Sequence, residues 1–326
     1  MAIGSGTGPS NFPGGFGTGV TIQNVPISIP HPGKVFWVNN SSVLAPGGAT
    51  GSDANKGSYT YPFSTLDYAI GQCTAGRGDV IYIMPGYTQT MTAADAVDVD
   101  VADVRIIGLG RGQKRPKFTY TNTAGEFVIG AANVRIENLL FVPGVSAVTH
   151  AIDVEAAGLD AQIVGCSFEV GASGFEFNAA ITVADTAAVR GLIQGCYFNS
   201  GAEGAIYAIS LDTPIDWVIK DNFIMGDYST ACVGTITGAG VRCQLLNNHI
   251  INGLPGDVNA VAAFTQSAAG TWYVAGNVFI ADVATAILFF TNYTSTINGG
   301  NLYSDDTSMA ATAVDRTATI VVMADG

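Results

Sequence analysis

A six-residue pattern recurs seven times down the chain and limits what it can fold into. It reads aliphatic residue, any residue, then Gly, Asn or Asp, and three positions later a large apolar residue. The aliphatic anchors are Ile136, Ile163, Ile193, Ile219, Leu245, Val274 and Ile297, spaced 27, 30, 26, 26, 29 and 23 residues apart. Two residues on stand Asn138, Gly165, Gly195, Asp221, Asn247, Gly276 and Gly299. Five residues on stand Phe141, Phe168, Phe198, Ile224, Ile250, Phe279 and Leu302. Self-similarity at this period is the mark of a solenoid, in which each repeat buries its apolar face against its neighbours.

The residue types inside the repeat select the kind of solenoid. Each anchor ends a short β-rich run, such as Val134-Arg135-Ile136 or Trp217-Val218-Ile219, and period-2 alternation turns the anchors inward. Gly, Asn and Asp tolerate the left-handed backbone of a sharp corner. A second strand precedes each anchor, centred on Val128, Ile152, Ile181, Ile209, Ile236, Phe264 and Leu288. No repeat has room for a periodic helix, which excludes leucine-rich and helical arrays. The prediction is an all-β, right-handed parallel β-helix of about nine rungs stacked ~4.8 Å apart, a rod about 40–45 Å long. The residue after each corner reads Leu139, Cys166, Cys196, Asn222, Asn248, Asn277, Gly300. Cys166 is therefore expected to stack on Cys196, and the three Asn residues to form a hydrogen-bonded ladder. The pattern extends back to Val104-Arg105-Ile106-Ile107-Gly108, and Asp79 to Met84 followed by Pro85-Gly86 reads as an earlier strand and turn.

A solenoid end exposes core and unpaired backbone, so it needs a cap. Leu66, Ala69, Ile70 and Cys73 have helical spacing, Ser64 with Asp67 forms a capping box, and Gly76 is a stop. A short N-terminal capping helix is expected across Phe63 to Ala75. Ala318 to Met323 reads as a closing strand. Four segments follow: residues 1–33 an extended Gly/Pro-rich arm, 34–78 a lead-in with the capping helix, 79–305 the β-helix, and 306–326 the C-terminal closing stretch. The arm cannot pack on itself but carries Phe12, Phe16, Val20 and Ile22, which suits ordering on a partner surface.

Net charge is −13, from 13 basic and 26 acidic residues, so the surface disfavours nucleic acid and anionic membranes. No apolar run is long enough for a spanning helix, and the start carries no secretory pattern. The one basic cluster, Arg111, Lys114, Arg115 and Lys117, reads as a solvated loop. The five cysteines are odd in number, lack C-x-x-C spacing and are expected reduced; with His31, His150 and His249 far from any cysteine pair, no metal or cofactor is predicted.

Three stretches carry a resemblance: Gly51-Ser-Asp-Ala-Asn-Lys-Gly, Pro62-Phe-Ser-Thr-Leu-Asp-Tyr-Ala-Ile, and Gly78-Asp-Val-Ile-Tyr-Ile-Met-Pro-Gly. They resemble the N-terminal part of right-handed parallel β-helix proteins of the pectin-lyase-like superfamily, which includes phage tailspikes and other virion proteins. The resemblance spans roughly residues 35 to 305. It implies the fold and leaves function open among lyases, hydrolases, binding proteins and structural rods. The polygalacturonase-type Asn-Thr-Asp, Gly-His-Gly and Arg-Ile-Lys motifs and the pectate-lyase Arg-x-Pro-x-x-Arg pattern are missing, and the lone Asp305-Asp306 lies past the last corner. The best-placed acids are Asp98, Asp100, Asp153 and Glu155, with Asp100 and Asp153 expected two rungs apart across Ile129, ~10 Å and outside glycosidase range. Tyr207, Trp217, Tyr228, Trp272 and Tyr273 are the aromatics that could meet a sugar. The leading expectation is a structural protein on the surface of a tailed-phage virion, capsid decoration over tail appendage. Its arm would bind capsid or tail proteins, and it would form a homotrimer. The alternative is a small glycan-binding or depolymerising spike acting on a host glycan.

Overall fold

The computed structural model describes residues 21–22, 25–26, 33–42, 47–172, 174–184, 186–201, 204–253, 263–281 and 297–304. It is a parallel β-solenoid of right-handed type with almost no helix. Three sheets run along it: sheet 1 has ten strands, sheet 2 nine and sheet 3 seven, and consecutive strands of each sheet come from consecutive turns. Seven turns have a strand in all three sheets among the described residues.

The anchors form one interior column of sheet 1. Phe36, Ile81, Ile106, Ile136, Ile163, Ile193, Ile219, Leu245 and Val274 pair in register from turn to turn and are buried. The sheet starts at Val35, inside the stretch read as lead-in. In sheet 2, Phe118, Phe141, Phe168 and Phe198 stack with centroids 5.5, 5.1 and 4.7 Å apart. Parallel register at the strand spacing places like rings over like rings, and each buried ring removes a large apolar area from water. Sheet 3 supplies the third wall through Val99, Ile129, Val154, Val183 and Leu211.

The corner residues behave as their types require. Asn138, Gly165, Gly195, Asp221, Asn247 and Gly276 have φ of 58°, 59°, 63°, 57°, 53° and 67°. Three alignments need correction. In the last turn Asn298, not Ile297, pairs with Val274, the corner is Gly300 (φ 65°) rather than Gly299, and Leu302 is exposed. The ladder selects this register, because Asn301 accepts from the Asn277 backbone N–H at 2.8 Å. Gly108 ends a strand instead of turning; the chain turns later, through Gly110 and the 3-10 turn Gly112–Lys114. Ile236 is exposed just past the strand Tyr228–Thr235, where Val233 faces inward opposite Ile209, after a register shift near Ala205 and Tyr207.

The Asn ladder is present and longer than the sequence suggested. The Oδ1 of Asn248 accepts from the backbone N–H and Nδ2 of Asn222 at 3.0 and 2.9 Å. That of Asn277 accepts from the same groups of Asn248 at 2.8 and 2.9 Å. Asn301 continues the chain, and each Nδ2 also donates to a carbonyl of the preceding strand. Cys166 and Cys196 occupy the same position on the two turns before Asn222; burial pushes the Cys196 thiol up. 

A second corner, three residues before six consecutive column residues from Ile106 to Leu245, is not evident in the sequence. Asp103, Asn133, Asp160, Arg190, Asp216 and Arg242 all have φ between 53° and 63°. On successive turns Arg190 grips Asp160 and Arg242 grips Asp216, both at 2.7 Å. The Arg242 guanidinium holds the Asp216 carboxyl below its usual range.

The helix spans Leu66–Gly71, shorter than expected, and its N-cap is Thr65 rather than Ser64. The Thr65 hydroxyl accepts from the Tyr68 N–H at 3.4 Å, while the Ser64 N–H donates to Asp53. Leu66, Ala69 and Ile70 join the core. Phe12, Phe16 and Val20 lie outside the described residues, as do Leu288, Asp305, Asp306 and the stretch Ala318 to Met323. Ile22 is in a strand, Thr21–Ile22, paired antiparallel with Val25–Pro26. No described helix is long and apolar enough to cross a membrane.

Candidate functional site

The densest set of titratable side chains lies on the outer face of sheet 3, over the strands Val97–Val99, Phe127–Ile129 and Val148–Val154. Alternation puts Val97 and Val99 inside and Asp98 outside. The register sets Asp98, Val128 and Asp153 in one outer column. The expected pairing of Asp100 with Asp153 across Ile129 is therefore wrong. Asp153 aligns with Asp98, Ile129 is interior, and Asp100 lies beyond the end of its strand, exposed. Apolar centres alone do not set the register, because successive turns differ in length.

One level along, Gly130 donates its N–H to Val99 O and Glu155 to Ile129 O, both at 3.2 Å. Gly130 leaves a gap in the face, and two carboxylates lean over it. A Cβ on Gly130 would sit 3.2 Å from Asp98 Oδ1 and 3.3 Å from Glu155 Oε2. The two oxygens therefore approach one point and are no more than about 6.5 Å apart, an upper limit within which the ~5–5.5 Å spacing of retaining glycosidases falls. Burial, then Asp100, Asp95 and Glu155, push the Asp98 carboxyl upward. The ionised neighbours acting on it are all acidic.

Glu126 and His150 complete the face; neither belongs to a repeated motif, so no sequence signal singles them out. His150 Nε2 meets Glu126 Oε1 at 2.9 Å. Burial raises the Asp153 carboxyl; His150 opposes this, while Glu126 and Glu155 add to it. Asp153 Oδ1 is enclosed with no hydrogen-bond partner, which adds an unmet desolvation cost. Among the described residues no group of three or more His, Cys, Asp or Glu is arranged to hold a metal ion.

These raised carboxyls fix a sign. Each favours the folded state below the ordinary carboxylate pKa, and that contribution is lost as pH rises through the raised value. As pH rises above the ordinary carboxylate range, each therefore increasingly opposes folding. Asp98→Asn and Asp153→Asn are each expected to raise the melting temperature at pH 7, with the gain shrinking toward pH 4. A gain equal at both pH values in thermal melts would rule out the electrostatic cause.

The aromatic candidates are mostly structural. Trp217, Trp272 and Tyr228 are buried, and the Trp217 indole N–H donates to Ala188 O at 2.7 Å. Tyr207 is half-buried and Tyr273 is exposed. A recess lined by Glu169, Glu176, Tyr207 and Tyr228 holds about 20 Å³, room for one water, and does not include Asp98, Asp153 or Glu155.

The solenoid is similar to solved β-helix structures. A rhamnogalacturonan lyase superposes with a TM-score of 0.59 at 14% identity, over 84% of this chain and 74% of that one. A deglycosylated pectin methylesterase from Aspergillus niger gives a TM-score of 0.48 at 13% identity, over 90% and 94%. No family model matches the chain, and no curated protein matches it. At this identity the likeness gives a pectin-lyase-like β-helix fold, the fold of carbohydrate-active enzymes among others.

Proposed function

We propose that this chain is a structural β-helix of a tailed-bacteriophage particle, displayed on its surface, with the capsid favoured over the tail as its seat. The rod has about nine turns, the helix at Leu66–Gly71 serves as its N-terminal lid, and copies associate as a trimer. The arm with Phe12, Phe16, Val20 and Ile22 attaches it to its neighbour. The observation that carries this reading is where the repeat spends its residues. The aliphatic anchors, the Phe stack and the Asn ladder are interior, and the Gly, Asn and Asp positions turn corners. The recurrent chemistry of the chain is thus used to build a rod.

A second reading rests on one geometric fact. Asp98 and Glu155 both reach the space over Gly130, and burial and acidic neighbours push the Asp98 carboxyl upward, toward the proton-donating form. In that reading Asp98 donates a proton to a leaving oxygen and Glu155 acts on the other side, on a host polysaccharide.

Removing residues 1–33 tests the attachment. The truncated protein should lose at least tenfold in particle binding by co-sedimentation, with its melting temperature retained. Undiminished binding would overturn the arm's role. Incubating the intact protein with host polysaccharide separates the two readings: release of reducing ends, abolished by Glu155→Gln, would replace the structural reading with the hydrolytic one.

A further inference from the structure

We infer that the outer face of sheet 2, from Tyr197 toward the C-terminal end of the rod, is the surface through which one copy of this chain joins another. The inference rests on the copies associating at all, as proposed above, and adds where they meet.

The register creates the surface. Tyr197, Phe223, His249, Val278 and Leu302 pair in sequence on five successive strands and form one outer column. Met225 and Ile251 lie in the column beside it. At ~4.8 Å per strand the strip runs about 20 Å along the rod. Neither column carries an Asp, Glu, Lys or Arg over these strands. Tyr197 is 36% exposed and Leu302 56%.

Charge selects a second copy as the occupant. The chain carries −13, so two copies repel unless they meet where charge is absent. Sheet 1 does not offer this, since it presents the Arg105–Glu137–Arg135 ion network and Lys220. Sheet 3 presents Asp98, Asp153 and Glu155 on its first turns and, on the turns beside the strip, the small or polar Thr182, Ser210, Gly234 and Thr265 in place of large apolar side chains. A basic partner would be drawn to sheet 3, not to this strip.

Ring geometry argues against a sugar here. Tyr197 and Phe223 stack at 5.7 Å with planes 11° apart, and Phe223 is followed by His249 at 5.0 Å. Rings stacked along the column cover one another's faces and turn their edges outward. An apolar protein surface can pack against such edges, whereas a sugar needs an open face.

Phe223→Lys and Val278→Lys test the surface. The same column carries Lys117 three strands before Tyr197, so lysine is compatible with this outer position. The full chain should sediment as a multimer at tens of micromolar, and each variant should dissociate at least tenfold more readily while keeping its melting temperature and circular dichroism. Thr182→Lys, on the outer face of sheet 3, should leave the mass unchanged. A multimer unaffected by either strip variant would overturn this face and leave association standing. A monomeric wild-type chain would overturn both.

Discussion

Asn248→Ala should lower stability by about 3–5 kcal/mol, the largest effect expected of a single polar side chain here. The side chain is buried within the ladder. Its loss strands the backbone N–H and Nδ2 of Asn222, which both donate to its Oδ1, and removes the donors reaching Ile219 O and Asn277 Oδ1. A buried donor left without an acceptor costs ~1–3 kcal/mol. Asn248→Asp keeps the acceptor but sets a carboxylate against Asn277 Oδ1, so it should be at least as damaging. Because a solenoid's stability is a sum over neighbouring turns, the damage should be local first. Hydrogen exchange should rise in the strands Cys243–Leu246 and Trp272–Ala275 before those around Ile136. A midpoint shift in denaturant equivalent to less than ~1 kcal/mol would mean that the ladder specifies register without stabilising it.

Much of this architecture was legible because parallel register repeats one residue choice on every turn. The Ile column, the Phe stack and the Asn ladder each need the same side chain at the same place, so they appear as spacing. The second corner was not legible, although it recurs as regularly. Arg190 and Arg242 hold left-handed backbone where Asp or Asn would be expected, and ion pairs with the Asp one turn earlier accompany them. Alternating Asp and Arg reads as ordinary surface charge. The last turn is ambiguous in sequence for the opposite reason: Gly299 and Gly300 both satisfy the corner rule, and the strand register with the hydrogen bond to Asn301 decides between them. The acidic face was found as a list of residues but not as a geometry. Asp98 and Glu155 meet through the gap at Gly130, a residue whose contribution is the side chain it lacks.

Gly191 carries the other large effect. It sits two residues before the anchor Ile193, and Trp217 holds the same place one turn later. A Cβ on Gly191 would lie 2.3 Å from the Trp217 ring, and one on Gly240 would lie 2.1 Å from Trp272 Nε1. Both indoles are buried, and no positive φ is involved at Gly191, so the penalty is steric. The ring has little freedom to retreat, since its N–H is tied to Ala188 O at 2.7 Å. Gly191→Ala should therefore cost about 1–3 kcal/mol from overpacking, and Gly191→Val more. Trp217→Phe shortens the ring edge that Gly191 accommodates, at the expense of the Ala188 hydrogen bond. Combined with Gly191→Ala it should recover part of the loss, giving a coupling of about 1 kcal/mol in a double-mutant cycle read by denaturant unfolding. Strictly additive effects would mean that the backbone, not the indole, absorbs the added methyl.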